Sequence, residues 1–511
     1  MIQSRKRFYL ILFTVVFFIS AFLFSQQTFA DNFNEEEEYQ AVRENVLSQI
    51  DSKEEAVYGN EWLALDLIRD GQEVSPYYLK DLVDTIINKN GVLHTGAGDY
   101  TNYAKAVLVL TSFGIDASNI AGYNLIEPVS TLPRVRQQGV NGVIYALLAL
   151  DSHQYDIQLP EAAPFTFTRD DYINAILNSQ LPDGGWDWAD KQADPDMTAM
   201  AIQALAPYYD SDPDVKAAVD TALTTLSNLQ QPDGGFQTED AQFKEASEST
   251  SMVILALIAL GIDPTTDDRF IKNGLNTIDN LCSFYSNGGF KHTADGAYNA
   301  MATDQGYRAL ISYHRLLEGK TSFYDMTDNT ELLVLEGPLT EKAIVTEIDD
   351  TSAVQDDIAL IKQSSALTDM NGKIECLFDL SLVLADDNFV FCFPISETDT
   401  PQTITVKIPG EKLAELGEAI KVIGIHNGEL LTIDPETASR ENGEVVFKTN
   451  LFSTYSVVSG EASEEVVPAD GGEGSVTPAK TGDESNVLVW IMLMAVSILG
   501  LIYTAKRRTK E

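Results

Sequence analysis

Apolar residues recur at helical spacing through residues 35–318 and then at alternating spacing up to residue 459. Windows near 35–50, 60–70, 76–88, 101–113, 117–125, 139–151, 169–180, 197–208, 213–230, 247–260, 266–285 and 299–318 each predict a helix. Gly71, Gly114, Gly261 and Gly319 fall where helix C-caps belong. Members of successive pairs differ. Val143–Leu150, Thr198–Leu205 and Met252–Leu260 are apolar on every side and rich in alanine, so they are expected to be buried on every side. Asp214–Leu229 and Asp268–Phe284 carry one charged face. About twelve helices in six pairs, an inner ring inside an outer one, is the expected arrangement of residues 31–328.

After Asp328 the period changes to two. Ile374–Phe378, Phe389–Phe393, Thr403–Ile408, Ile420–Ile425, Glu444–Lys448 and Thr454–Val458 predict short strands. Turn clusters such as Ala385–Asn388, His426–Gly428 and Glu441–Gly443 separate them. Regular short strands with turn signals predict a β-sandwich over residues 329–460.

A punctuation mark divides the helical part. Gln180, Asp183, Gly184, Gly185 and Trp186 return 50 residues later as Gln230, Asp233, Gly234, Gly235 and Phe236. A weaker copy follows 54 residues on, as Gly288, Gly289 and Phe290, and Asn90-Gly91-Val92 is an earlier echo. Such a period implies stacked supersecondary units sharing one core. The glycines accept turn geometry, the aromatic wedges between helices, and the glutamine amide binds open backbone groups at helix ends. These groups read as structural.

The pattern Q-x-x-D-G-G-W/F resembles the repeat of the squalene-cyclase and protein-prenyltransferase superfamily, the α/α toroids. Transcobalamin-like binders and complement thioester domains share that fold. The runs Asp196–Ala206 and Met301–Leu310 are similar to those of Gram-positive cell-surface proteins with the same repeats. The resemblance covers about residues 35–325 and implies an α/α6 toroid.

Both ends carry apolar runs. Arg5–Arg7, the apolar Phe8–Phe24 and Thr28-Phe29-Ala30 read as a cleaved signal peptide over residues 1–30. Val487–Ala505 is long enough for a transmembrane helix, and Lys506-Arg507-Arg508 begins a basic cytoplasmic tail, residues 506–511. Residues 461–486 read as a disordered stalk, and Thr477–Asp483 within it resembles a sortase signal without matching the Leu-Pro-x-Thr-Gly pattern. The expectation is a protein on the outer face of the plasma membrane or in the cell wall, held by one C-terminal span. Thirty-four basic against 77 acidic residues leave a net charge of −43, which excludes nucleic acid as a partner. Three cysteines do not make a disulfide scaffold, and a simple hairpin at Asp386-Asp387 places Cys392 opposite Leu380, away from Cys376.

The catalytic signatures that the resemblance brings to mind are missing. There is no Asp-x-Asp-Asp acid motif, no zinc set of Asp, Cys and His, and no thioester motif. Asp194-Pro195-Asp196 comes nearest to the first, with Asp196 read as a helix cap rather than an acid. No catalytic residue, metal ligand or cofactor is assigned. A polar face on the last helix of the ring remains: Met301, Asp304, Gln305 and Arg308 at spacings of three and four. Asp304 and Arg308 pair at i, i+4 on the plainer reading; on the other they line a pocket with Tyr103, Trp188, His292 and Tyr298 near its mouth. The favoured function is non-catalytic binding of a small apolar or cofactor-like ligand, or of a cell-surface partner. The alternatives are a terpenoid-cyclase-like enzyme with an unrecognised site and a purely structural surface module.

Overall fold

The computed structural model describes residues 60–461, except 95–100, 132–138, 158–164, 190, 238–244, 349–350 and 396. In chain order the helical region comprises α1 (Glu61–Arg69), α2 (Pro76–Asn88), α3 (Thr101–Ser112), β1 (Ile115–Ile120), α4 (Ile126–Thr131), α5 (Gly139–Asp151), α6 (Arg169–Asn178), α7 (Pro195–Leu205), α8 (Pro213–Leu229), α9 (Ser247–Ala259), α10 (Thr277–Ser283), β2 (Tyr285–Ser286), β3 (Gly289–Phe290) and α11 (Ala300–Leu317). Alternate helices α1, α3, α5, α7, α9 and α11 each pack on the next, and α11 returns to α1. They form a closed circuit. The helices between them lie outside: α6 against α5, α8 against α7, α10 against α9. Composition explains the sorting. Helix α9 buries residues around its whole circumference, whereas α8 buries one stripe of Val215, Ala218, Val219, Ala222, Leu223, Leu226 and Leu229.

The repeated turn is built from its own residues. Gln180 donates from Nε2 to Gly184 O at 2.8 Å and to Ala218 O on the next outer helix at 2.9 Å. Gln230 repeats this on Gly234 O and Phe270 O, both at 2.9 Å. Asp183 accepts from the backbone of Gly185 and Ala193, and Asp233 accepts from Gly235. Gly184 has φ of +92°, and a Cβ there would lie 2.5 Å from the Thr221 methyl. Glycine is therefore required on two counts. Trp186 is fully buried, donating from its indole to Ile176 O at 2.8 Å. Its backbone N–H is taken by the Thr198 hydroxyl at 2.9 Å. Phe290 and Thr303 repeat that last bond at 2.9 Å.

The second region holds β4 (Leu333–Leu335), β5 (Thr340–Glu347), α12 (Gln355–Gln363), α13 (Ser365–Thr368), β6 (Lys373–Ala385), β7 (Cys392–Ile395), β8 (Glu397–Lys407), β9 (Ala419–His426), β10 (Glu429–Ile433), β11 (Thr437–Ala438), β12 (Glu444–Leu451) and β13 (Thr454–Gly460). One sheet runs β10-β9-β13-β6-β5 with β7 on β6, and a second runs β11-β12-β8. Phe378, Leu380, Ile404, Val406, Val422, Phe447, Tyr455 and Val457 form a shared apolar core. Helices α12 and α13 form a further cluster with the large sheet, Ile361 and Leu367 packing with Leu377, Ile423 and Val458. β1 pairs in parallel with β4, and Leu335, Leu339, Leu384 and Phe391 join the core of the helical region.

The architecture expected from the sequence, about twelve helices in an α/α6 toroid, then a sandwich and a transmembrane helix, is corrected in several places. Among the described residues no helix is long and apolar enough to cross a membrane. The run 487–505 lies outside them, as do the signal-peptide window 1–30, the helix window 35–50 and the stalk with its sorting sequence. The window 117–125 forms strand β1 and a turn rather than a helix, because its edge is taken by β4. The window 266–285 is broken into a single 3-10 turn at 268–270 and α10. Asn273 and Gly274, both at positive φ, turn the chain between them. Residues 355–368 are helical within a region read as all β. Cys392 pairs across the ladder with Ala385, not Leu380, because the loop from Asp386 to Phe391 is longer than a tight turn. None of the three cysteines forms a disulfide bond.

Candidate ligand site

The ring has two unlike ends. At one, the C-termini of α11, α1, α3 and α5 are crossed by a strap, residues 320–329. Arg69 at the end of α1 donates to Asp328 at 3.0 Å, to Ser322 O at 3.0 Å and to Asp325 O at 2.9 Å. Arg315 on α11 donates to Thr321 O at 3.0 Å, Arg69 O at 3.2 Å and Asp328 at 2.6 Å. The strap reaches α5 through Met326 N to Ser152 O at 2.7 Å, and α3 through Asn329 Nδ2 to Thr111 O at 2.7 Å. Phe323 and Met326 are buried beneath it. Burial, then the neighbouring Arg315, pulls the Arg69 guanidinium down to about 10, with Asp328 opposing.

Inside the ring, two turns before Arg315 on the same face of α11, stands Arg308. Its Nε and Nη2 donate to the two oxygens of Asp66 on α1 at 2.7 and 2.9 Å, and Nη2 also reaches Asp304 at 3.0 Å. The guanidinium lies 4.9 Å from the Trp62 ring centre and 5.7 Å from that of Phe323. Trp62 in turn meets Tyr145 of α5 at 5.5 Å. Burial opposes the charge of Arg308, but Asp66 and then Asp304 outweigh it and hold the guanidinium above its ordinary value. Burial lifts the Asp66 carboxyl well above the usual range, with Arg308 pulling it back. The paired in-plane donations are those made to a carboxylate, so the group is a buried ion pair with a second acid beside it. Burial also raises the phenols of Tyr145 and Tyr324, Arg308 opposing in both. Both tyrosines nevertheless keep part of their surface open, as Trp62 does.

The other end carries the repeat turns and the helix N-termini. Asp194, not Asp196, caps α7, accepting from Met197 N at 2.9 Å. This corrects the capping role expected for Asp196. The Asp196 carboxyl is pushed up to about 7 by burial and by Asp194, and further by Glu248. Its Oδ1 is buried with no hydrogen-bond partner. His292 pairs with Glu248 at 3.0 Å.

The sequence-derived site residues separate. Arg308 and Asp304 meet as expected at i, i+4, and Arg308 is drawn further to Asp66. Gln305 is half-buried on the same helix. Met301, Trp188 and Tyr298 are 58, 70 and 39 % exposed, and the Tyr298 ring covers Gly289. His292 lies at the rim with Glu248. Tyr103 is buried, its hydroxyl accepting from Leu93 N at 3.2 Å and meeting His94 Nδ1 at 2.9 Å. It holds the loop before α3. Asp66, Trp62, Tyr145 and Tyr324 were missed. The available signal was Asp66 itself, one acid flanked by Leu65 and Leu67 in an apolar run.

No protein-family model and no curated protein matches the chain. Among solved structures it is similar to the ent-copalyl diphosphate synthase from Streptomyces platensis, at 18 % identity and a TM-score of 0.31 over 51 % of this chain. The match spans 50 % of that protein's length. A likeness of this size carries no argument about activity.

Proposed function

We propose that the helical ring is a small-molecule binding site whose strapped end is its floor and whose repeat-turn end is its mouth. The observation that carries this is the open surface of Trp62, Tyr145 and Tyr324 around a buried ion pair. The hydroxyls of Tyr145 and Tyr324 are not shut away from solvent, so they stay available to a ligand that can donate or accept. Export, taken from Arg5–Ala30, belongs to the same proposal. Native mass spectrometry of the full chain, isolated gently from its producing cells, should show a discrete non-covalent adduct. The Tyr324→Ala chain should lose it. A wild-type chain that never carries an adduct, with a crystal structure showing the ring filled by its own side chains, would overturn the reading.

Asp196 favours a second reading. A carboxyl that stays protonated near neutral pH, with one oxygen uncommitted, is suited to give a proton to a bound substrate. Incubation with polyprenyl substrates tests this: products abolished by Asp196→Asn would establish catalysis, and intact substrate would leave binding alone.

A further inference from the structure

Resting on the ring as a binding site, the pattern of satisfied and unsatisfied atoms at its centre identifies what it holds. Arg308 commits Nε and Nη2 to Asp66 and Asp304. Among the described residues, Nη1 has no hydrogen-bond partner, and it is not shut away from solvent. Asp304 uses Oδ2 on Arg308 and also stands within hydrogen-bond reach of the Asp66 carboxyl, and its side chain is 27 % exposed. The hydroxyls of Tyr145 and Tyr324 likewise have no partner among the described residues, and both belong to half-buried side chains beside Arg308. A donor edge, a partly exposed carboxyl and two hydroxyls that can do either thus lie in one neighbourhood.

Charge and shape narrow the ligand. The single guanidinium of Arg308 is already spent on Asp66 and Asp304, so an anion would find no uncompensated positive charge inside the ring. A cation finds its place beside the aromatic rings already taken by the Arg308 guanidinium. The open polar atoms ask for groups that both accept and donate, which hydroxyls do. The partly open faces of Trp62, Tyr145 and Tyr324 ask for an apolar surface on the same molecule. A sugar ring offers both: hydroxyls around its edge and C–H groups on its face. We propose that the ring binds a neutral saccharide, with hydroxyls on Arg308 Nη1 and on the Tyr145 and Tyr324 hydroxyls, the exposed part of the Asp304 carboxyl beside them, and a ring face against the aromatic wall.

Calorimetric titration of the full chain with maltotriose and chitotriose tests this, with trigalacturonate as the anionic probe and farnesol as the apolar alcohol. At least one neutral saccharide should bind. Asp304→Asn, and separately the Tyr145→Phe, Tyr324→Phe double variant, should weaken it at least tenfold while the melting temperature stays within a few degrees. Saccharide binding untouched by either variant would place the site elsewhere and overturn the proposal. Binding of farnesol or trigalacturonate alone, weakened by the same variants, would overturn the saccharide class and leave the ring as a binding site. Failure of all four probes, with no adduct on the native chain, would overturn both.

Discussion

Arg315 and Arg308 stand seven residues apart on one helix, and the two regions they serve are finished differently. At the strapped end Arg315 engages all three guanidinium nitrogens, and four of its acceptors are supplied by residues 321–328 and by the end of α1. In the ring centre Arg308 is fixed along one edge only, and the rest of its polar surroundings are uncommitted. Both arginines are buried and charge-paired, but only Arg315 has every guanidinium nitrogen bonded. The closed region is therefore read as a clamp that holds the first and last inner helices together. The open one is read as a surface kept for something else. Helices α1 and α11 serve both regions, so the clamp and the Arg308–Asp66 pair tie the same two helices together.

The largest test removes the clamp. Arg315→Ala leaves Asp328 with Arg69 alone and takes the donor from the Thr321 and Arg69 carbonyls, so the chain should lose about 3–5 kcal/mol in urea unfolding. A loss under about 1 kcal/mol would make the closed end no more structural than the open one. Next, Trp186→Ala empties a fully buried site in the repeat turn and strands the Ile176 carbonyl, and about 3–4 kcal/mol should go. Wild-type melting would end the structural account of the repeat.

The third test concerns the mouth. The folded Asp196 carboxyl titrates near 7, against 3.8 ordinarily. Its contribution to stability is therefore fully present below about pH 4 and is lost as pH rises through 7. Asp196→Asn cannot ionise, so it should gain on the wild type by about 2–3 kcal/mol between pH 5 and pH 8. Parallel stability profiles for the two chains would show that Asp196 is ordinary. The smallest effect separates site from scaffold. Tyr324→Phe removes one hydroxyl that holds nothing in the protein, so stability should change by less than about 0.5 kcal/mol. A larger loss would mean that the hydroxyl is structural and the centre is closed after all.

The repeat turns were legible because their chemistry is local. Gln180 and Asp183 bind within a few residues of themselves, Gly184 needs its own φ, and Trp186 follows in the same turn. The inner and outer helices were legible because burial on all sides or on one side is written in composition. Strand β1 was not legible, since Ile115–Ile120 becomes a strand only by pairing with Leu333–Leu335, more than two hundred residues away. Helices α12 and α13 were missed because their apolar positions are few, and the face they cover exists only once the large sheet forms.

The candidate site divides along the same line. The sequence by itself placed Met301, Asp304, Gln305 and Arg308 on one helical face, because helical spacing alone decides that. It also set the turn geometry and the order of the helices. Tertiary structure decided that Arg308 turns to Asp66, that Trp62, Tyr145 and Tyr324 surround it, and that Tyr103 is spent on a loop. Closure of α11 on α1 joins residues 66 and 308 across the whole ring. No local pattern records a contact that depends on the last helix meeting the first.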